Sequence, residues 1–270
     1  MRFSLVLGLT SSLLLGSYTV ASNAAGLTKQ LVSHRAVYAM NLSKSGGDGG
    51  LTGARGVMSY EFKDQCDSWT VESKIYLRLM YGNQSEVENI RSMVTSEAKD
   101  GLSFRFRLNE VTNGKITEEI KGVATLDGLG GIAKFTKPSS QKMTLPKGTL
   151  FPTAHIQTLI EYSLAGGKHL TKLVFDGATL DNPYEVSAVI GAGTGKKNLS
   201  SKLTKILSDK VNWKMGMAYF PMNDRKPTPE IELSVEMRSD GIVKLIIQDF
   251  GKYALEARLD QVVFLKDSGC

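Results

Sequence analysis

The sequence predicts a mainly β protein whose many antiparallel strands close, fully or in part, into a barrel. Three observations lead to this prediction. Most segments alternate apolar and polar residues with a period of two, the pattern of a strand with one wet face. Asp-Gly and Asn-Gly pairs separate these segments, as turns between antiparallel strands do. A sheet of so many half-polar strands must also curl to protect its edges.

The first half of the chain carries the clearest alternation. "GVMSYEFK" at 56–63, "LSFRFRL" at 102–108 and "KITEEIKGVATL" at 115–126 each place their apolar residues on one face. Asn113-Gly114 supplies a hairpin turn between the last two segments. The residues predicted to face inward include Met58, Tyr60, Phe62, Phe104, Phe106, Ile116 and Ile120.

The second half repeats the strand pattern and adds two segments that break it. "TAHIQTLIEYSLAGG" at 153–167 has apolar residues at helical spacing, so we expect a helix with Thr153 as its N-cap. Residues 191–210 combine a glycine-rich stretch with a lysine-flanked apolar stripe and are compatible with a short helix or a mobile loop. The strand segments are "YEVSAVI", "NWKMGMAYF", "EIELSVEM", "IVKLIIQ" and "YALEARLDQVVFL".

The N-terminus has the features of a secretory signal. Arg2 precedes an apolar run over 3–16 and the small-residue stretch "VASNAAG". Cleavage after Ala24 would remove 1–24 and leave 25–270 as a single domain, since no linker divides it. Loss of Arg2 lowers the net charge from +6 to +5. This weakly basic surface suits anionic envelope polymers or lipid headgroups, or serves only solubility.

Two cysteines, Cys66 and Cys270, lie 204 positions apart. In an oxidising compartment an even number of cysteines indicates a disulfide, which here would close most of the chain and stabilise it by roughly 5 kcal/mol at most. A catalytic thiol or a metal site are the alternatives. The chain has no Cys-x-x-Cys, and no histidine lies close to either cysteine in sequence.

Motifs of common enzymes are incomplete or absent. "GAGTGKK" at 191–197 lacks the first glycine and the hydroxyl residue of a phosphate-binding loop, and there is no G-x-S-x-G. The three histidines lack the spacing of a metal site. His155 follows Pro152 in "LPKGTLFPTAH" at 145–155, so we interpret Pro146, Pro152 and His155 as a structural corner, with ligand contact or catalysis as alternatives. We therefore predict no catalytic residues, metal, cofactor or nucleic-acid partner.

Several stretches together resemble the EipB-like family of periplasmic cell-envelope integrity proteins of Gram-negative bacteria. They are "HRAVYAMNL" at 34–42, "GARGVMSYEFKDQCDSW" at 53–69, "SEAKDGLSFRFRL" at 96–108, "LPKGTLFPTAH" at 145–155 and "VFDG" at 174–177. The resemblance implies an open barrel described as a β-spiral, a periplasmic Cys66–Cys270 disulfide and a role in envelope integrity under stress. It also implies no assigned enzymatic activity, and association with tetratricopeptide-repeat proteins.

The sequence is compatible with three functions. The chain could be a non-catalytic protein that acts through protein contacts, or a carrier of lipid or lipoprotein acyl chains. A hydrolase is the third, but Glu118 and Glu119 are adjacent on a strand and face opposite sides. The apolar stripe that would line a carrier's cavity, or simply form the core, consists of Met58, Tyr60, Phe62, Phe104, Phe106, Met215 and Met217.

Overall fold

A computed structural model describes residues 31–45, 50–180, 183–195, 199–207, 210–222 and 227–266. The predicted signal peptide, 1–24, lies outside these ranges. Within them the chain forms fifteen strands and two helices, α1 (Pro152–Leu164) and α2 (Ser201–Ile206). Neither helix is long and apolar enough to cross a membrane. The strands are β1 (His34–Lys44), β2 (Leu51–Gln65), β3 (Ser68–Tyr81), β4 (Glu86–Ala98), β5 (Ser103–Thr112), β6 (Lys115–Leu126), β7 (Gly131–Lys137), β8 (Gln141–Leu145), β9 (Thr149–Leu150), β10 (His169–Val174), β11 (Tyr184–Ala192), β12 (Asn212–Pro221), β13 (Ile231–Arg238), β14 (Val243–Asp249) and β15 (Ala254–Phe264).

All described strands belong to one sheet, in the order β8 to β1, then β15 to β9. Each strand pairs antiparallel with its neighbour except β9, which pairs parallel with β10. The two edge strands, β8 and β9, are separated by only three residues, 146–148. Four Cα steps span at most about 14 Å, so the edges must lie close together and the sheet curls into a nearly closed barrel. The predicted mainly β barrel with short helices is confirmed.

Two residues assigned to inward faces are exposed: Leu102, which is 46% exposed in the bend before β5, and Ile116. Ile116 is 69% exposed, whereas Ile120 in the same strand is 1% exposed. The reason is a bulge: Glu110 pairs with Glu118, but the next residue, Val111, pairs with Ile116. The extra residue shifts the alternation by one position and turns Ile116 to the outside.

Three apolar clusters fill the barrel. Helix α1 packs Leu159 and Ile160 against residues of β11, β12 and β13. Leu203 of helix α2 and Leu207, the residue after the helix, are buried in a cluster with β1, β2 and β15. The third cluster is largely aromatic and joins β5, β6 and β7 to three buried residues outside those strands, Leu145, Phe151 and Phe175. Its rings are Phe104, Phe106, Phe135, Phe151 and Phe175.

The N-terminus of α1 is capped from a distant strand. The N-cap residue is Phe151, which has no side-chain acceptor, so the prediction of Thr153 as the cap was wrong. Instead, the Glu97 carboxylate at the end of β4 accepts hydrogen bonds from the backbone N–H groups of Thr153, at 2.7 Å, and Ala154, at 2.8 Å. A carboxylate at this position satisfies two unpaired N–H groups and favours the helix dipole.

Part of the uncertain 191–210 segment is helical and held to the sheet. Helix α2 begins after Ser200, whose hydroxyl accepts a hydrogen bond from the Leu203 N–H at 3.2 Å. Before it, the carbonyl of Gly195 accepts from the Lys244 ammonium at 2.6 Å, and Lys244 also forms an ion pair with Glu236 at 3.0 Å. Residues 196–198 and 208–209 lie outside the described ranges.

Candidate functional site

A cavity of about 250 Å³ lies where the two halves of the sheet face each other at the start of α1. The first half contributes apolar side chains of β2, β3 and β4, and the second half contributes the turn at 240–241. Pro152 and Ile156 border it from the helix. The cavity is lined by Leu31, His34, Tyr60, Phe62, Val71, Ser73, Met93, Thr95, Pro152, Thr153, Ile156, Asp176, Asp240 and Gly241.

His34 is the buried imidazole at this cavity. Its Nδ1 lies 2.7 Å from the carbonyl oxygen of Val32, and because a carbonyl only accepts, Nδ1 carries the proton. Burial lowers the pKa of His34, while the Val32 hydrogen bond and the Asp240 carboxylate act in the opposite direction. The ring is therefore neutral near pH 7, and Nε2, which has no partner in the described part of the chain, is an acceptor.

An ion pair in the turn between β13 and β14 closes one side of the cavity. The Arg238 guanidinium donates to both oxygens of Asp240, at 3.1 and 2.7 Å, and both side chains are buried. On the opposite side, burial raises the pKa of the Tyr60 phenol to about 12, so that it is uncharged. The cavity wall consequently carries polar atoms at few points on a largely apolar surface.

A second cavity, of about 520 Å³, continues along the interior, and Asp176 borders both cavities. Its apolar wall includes Ile75 and Leu77 from β3 and Leu233 from β13. The phenol of Tyr184, also on the wall, lies within hydrogen-bond distance of Thr179 and Glu230. Burial of Tyr184 raises its pKa to about 12.

The loop that follows β10 borders both cavities through Asp176 and is tied to the opposite half of the sheet. Arg91 of β4 donates to the carbonyl of Ala178 at 3.0 Å and forms ion pairs with Glu110 at 2.6 Å and Glu118 at 3.3 Å. Within the loop, Asp176 accepts a hydrogen bond from the Ala178 N–H at 2.8 Å. We call this loop, which Arg91 holds in the interior, the partition.

Gly177 allows this partition to approach the aromatic cluster. Its φ of 66° lies in the left-handed region, and a Cβ at this position would overlap the Phe106 ring. Phe175, two residues earlier, is fully buried against the rings of Phe104, Phe106 and Phe135. In the "VFDG" stretch, Phe175 therefore packs in the core and Asp176 borders both cavities.

The stripe predicted from sequence does not stay together. Tyr60 and Phe62 border the smaller cavity. Met58 packs in the cluster of β1, β2 and β15, and Phe104 and Phe106 belong to the aromatic cluster. Met215 and Met217 lie in the cluster under α1.

The predicted structural corner sits at the seam between the sheet edges. Pro146 follows β8, and its carbonyl accepts hydrogen bonds from the N–H and, at 2.7 Å, the hydroxyl of Thr149. Pro152 is the first residue of α1. His155 is buried in the helix, and burial, together with the nearby Lys172 charge, lowers its pKa to about 4.

Cys66 lies between β2 and β3, and Cys270 lies outside the described residues. The Cys66–Cys270 disulfide accordingly stays a prediction. In the described part of the chain, no group of three or more His, Cys, Asp or Glu side chains could hold a metal ion.

Sequence reasoning missed three residues of this interior: His34, Arg91 and Asp176. Arg91 offered a signal, because it shares the phase of the inward residues Met93 and Thr95. A charged residue at a strand position that points inward with apolar neighbours indicates a partner in the interior. His34 and Asp176 lie in the stretches "HRAVYAMNL" and "VFDG", but the sequence of these stretches does not indicate that either side chain faces a cavity.

The model of the family described as EipB-like matches residues 25–266. The chain belongs to the EipB-like family. Among EipB-like relatives, the cell envelope integrity protein EipB of Brucella abortus (strain 2308) is 27% identical over 242 residues, which cover 88% of this chain and 86% of the relative. The crystal structure of a β-barrel-like protein of a domain of unknown function from Brucella abortus matches with a TM-score of 0.81 at 26% identity, covering 88% of this chain and 99% of that chain.

The stretches that resemble the EipB-like family include His34, the Glu97 cap of α1 and the start of the loop that borders both cavities. The stretch at 34–42 forms most of β1 and begins with His34. Those at 96–108 and 145–155 meet where Glu97 caps α1. The stretch at 174–177 leads into the partition. These stretches therefore contribute residues to the seam and the interior.

Proposed function

We propose that this EipB-like chain maintains cell-envelope integrity as a non-catalytic periplasmic protein, exported through a cleaved signal at 1–24. The match of the family model across 25–266 carries the proposal, and the name of the Brucella relative supports it. The protein acts through contacts with other envelope proteins, with a periplasmic tetratricopeptide-repeat protein as the candidate partner.

Positions that could have suggested catalysis have structural contacts. His155 is buried in the core with a lowered pKa. Glu118 pairs with Arg91 at 3.3 Å, and Glu119 pairs with Lys137 at 3.3 Å. These contacts give the three side chains structural roles, in agreement with a non-catalytic protein.

Deletion and crosslinking test the proposal. A strain without the gene should become sensitive to detergent and to cell-wall antibiotics, and the full chain should restore resistance. Crosslinking in the periplasm followed by affinity purification should recover an envelope protein in the wild type. Normal resistance of the deletion strain would contradict the envelope role, whereas restored resistance without any crosslinked partner would contradict the protein-contact mechanism.

The interior cavities favour a second candidate function, carriage of a lipid or lipoprotein acyl chain. The larger cavity, about 520 Å³, lies within the range of roughly 300–1,000 Å³ that small-molecule sites occupy. The smaller cavity adjoins it at Asp176 and has an apolar wall. An acyl chain would supply the dispersion contacts that the wall of an unfilled apolar cavity lacks.

Native mass spectrometry of protein purified from cells tests this second function. Wild-type protein should carry a lipid adduct, and Ser73→Phe, which fills the smaller cavity, should lose it. Ser59→Phe is the matched control, because Ser59 is exposed on the neighbouring strand β2. Absence of an adduct from the wild type would contradict the carrier function, and an adduct that persists in Ser73→Phe would contradict a role of the smaller cavity in it.

A further inference from the structure

The outer face of β5, β6, β7 and β8 carries an array of cations. The strand register places Arg105 opposite Val123, Val123 opposite Lys134, and Lys134 opposite Lys142, in one continuous row across four strands. Strands are spaced about 4.8 Å apart, so this row spans about 15 Å. We call this surface, including the second row below, the basic face.

A second row lies beside the first. Arg107 pairs with Lys121, and Lys121 pairs with Lys137. Residues two apart on a strand share a face and lie about 7 Å apart, so Arg107 is the immediate neighbour of Arg105. Along these two rows, β5 to β8 place no acidic residue on the outer face; Glu119, at the margin, pairs with Lys137.

Among the residues that the structure describes, most cations of the basic face lack an acidic partner, as do other exposed lysines such as Lys214 and Lys252. Elsewhere on the barrel, Arg35 pairs with Glu61, and Arg258 pairs with Glu256 at 2.7 Å. In the described part of the chain, five exposed cations of the basic face form no ion pair: Arg105, Arg107, Lys121, Lys134 and Lys142. Clustered like charges without counter-charges repel one another, so the surface is complementary to an anionic partner.

Apolar side chains are interspersed among these cations. Val94 on β4, Val123 on β6 and Ile132 on β7 are 48%, 39% and 43% exposed. Val94 pairs with Arg107, and Val123 lies between Arg105 and Lys134 in the first row. A soluble polyanion offers nothing to these apolar groups, whereas a membrane surface offers both anionic headgroups and the edge of the acyl region.

We propose that the basic face docks on a membrane surface that carries anionic phospholipid headgroups. The cations provide the attraction, and Val94, Val123 and Ile132 contact the interface once the headgroups are engaged. The two rows form a two-dimensional array on the outer wall of the barrel, so several cations can reach one surface at the same time. Docking of this kind is reversible, since each Lys or Arg near an anionic surface strengthens binding by only about fivefold.

Vesicle co-sedimentation tests the proposal directly. The full mature chain should bind vesicles of 30% phosphatidylglycerol in phosphatidylcholine, and should not bind pure phosphatidylcholine. Binding should weaken sharply between 0.1 and 1 M salt, because the Debye length falls from about 10 Å to about 3 Å. Lys121→Glu combined with Lys134→Glu should reduce binding at least about 25-fold, since two contributions of about fivefold are lost and repulsion is added.

Lys214→Glu combined with Lys252→Glu is the matched control. Both lysines are exposed and lie on β12 and after β14, away from the basic face, and the change in net charge is the same. The control should bind anionic vesicles within about twofold of the wild type. All variants change exposed residues, so their melting curves should superimpose and confirm that they are folded.

Two results would overturn the proposal. Equal loss of binding in the test and control pairs would show that net charge, and not the basic face, attracts the vesicles. Binding of a soluble polyanion such as polyphosphate at least as tightly as anionic vesicles, with Ile132→Ser leaving vesicle binding unchanged, would identify an anionic polymer as the partner.

Discussion

Phe175 offers the sharpest test of how the two halves of the barrel are joined. It follows β10, in the second half, and its N–H donates a hydrogen bond to the carbonyl of Leu150 at 3.0 Å. Its ring is fully buried among rings of the first half, edge-on to Phe104 at 6.3 Å, Phe106 at 5.5 Å and Phe135 at 6.3 Å between ring centres. Phe175→Ala should therefore weaken the whole barrel.

The magnitude follows from burial and ring geometry. Replacing a buried phenylalanine with alanine costs about 3–5 kcal/mol of unfolding free energy. Each favourable aromatic pair adds about 0.5–1.5 kcal/mol beyond burial, and Phe175 makes three edge-on contacts. The cost of a Phe→Ala change already includes the lost ring contacts, so the three pairs place Phe175 in the upper part of that range. We expect a loss of about 4–5 kcal/mol, equivalent to a decrease in Tm of roughly 10–15 °C for a domain of this size.

Urea titration followed by tryptophan fluorescence measures the loss. The chain has two tryptophans, Trp69 on β3 and Trp213 on β12, so that each half carries one buried reporter. Phe264→Ala is the control, because Phe264 is 46% exposed and its truncation should cost less than about 1 kcal/mol. A loss for Phe175→Ala no larger than that of the control would refute the view that this ring joins the two halves.

Three further predictions concern single residues. Cys66→Ser should lower Tm in oxidising buffer but not under reductant, because the expected bond to Cys270 closes most of the chain; identical melting curves in both buffers would argue against the bond. Burial raises the pKa of Glu97, so the stability of the wild type relative to Glu97→Gln should increase as pH falls from 7 toward 4.5, and a constant difference in urea midpoint would exclude this titration. His155 has the opposite pH dependence, because burial lowers its pKa to about 4. Between pH 7.5 and 5 the wild type should therefore lose about 2 kcal/mol of unfolding free energy that His155→Gln retains. Parallel losses in the two proteins would show that another group titrates.

Local patterns predicted the strands and α1 well because both depend on residues close together in sequence. The alternation around Phe104 and Phe106 gave the correct inward face. It could not show that Phe175, about 70 positions later, fills the space they face. A strand pattern assigns a side chain to a face, but only the folded chain decides whether that face meets a neighbour or a cavity.

The errors have the same origin. Thr153 was a reasonable cap by sequence, yet Glu97 reaches the helix from β4 and makes a local cap unnecessary. Ile116 follows the alternation of Ile120, but a bulge opposite Glu110 and Val111 breaks the phase between them. Both effects depend on pairing partners that a single segment does not contain.

The seam at 146–148 has a consequence for how the chain folds. β1 and β15 lie side by side, with Phe264 opposite His34, about 230 positions earlier, and the Leu265 N–H donating to the Ser33 carbonyl at 2.9 Å. All the other strand pairs join strands that are consecutive along the chain. A circular permutant opened at 146–148, with a short linker from 265 to 33, would keep every strand pair and make all of them consecutive. Its contact order would fall, and it should therefore reach the same barrel faster than the natural connectivity, which must close its longest loop to complete the wall.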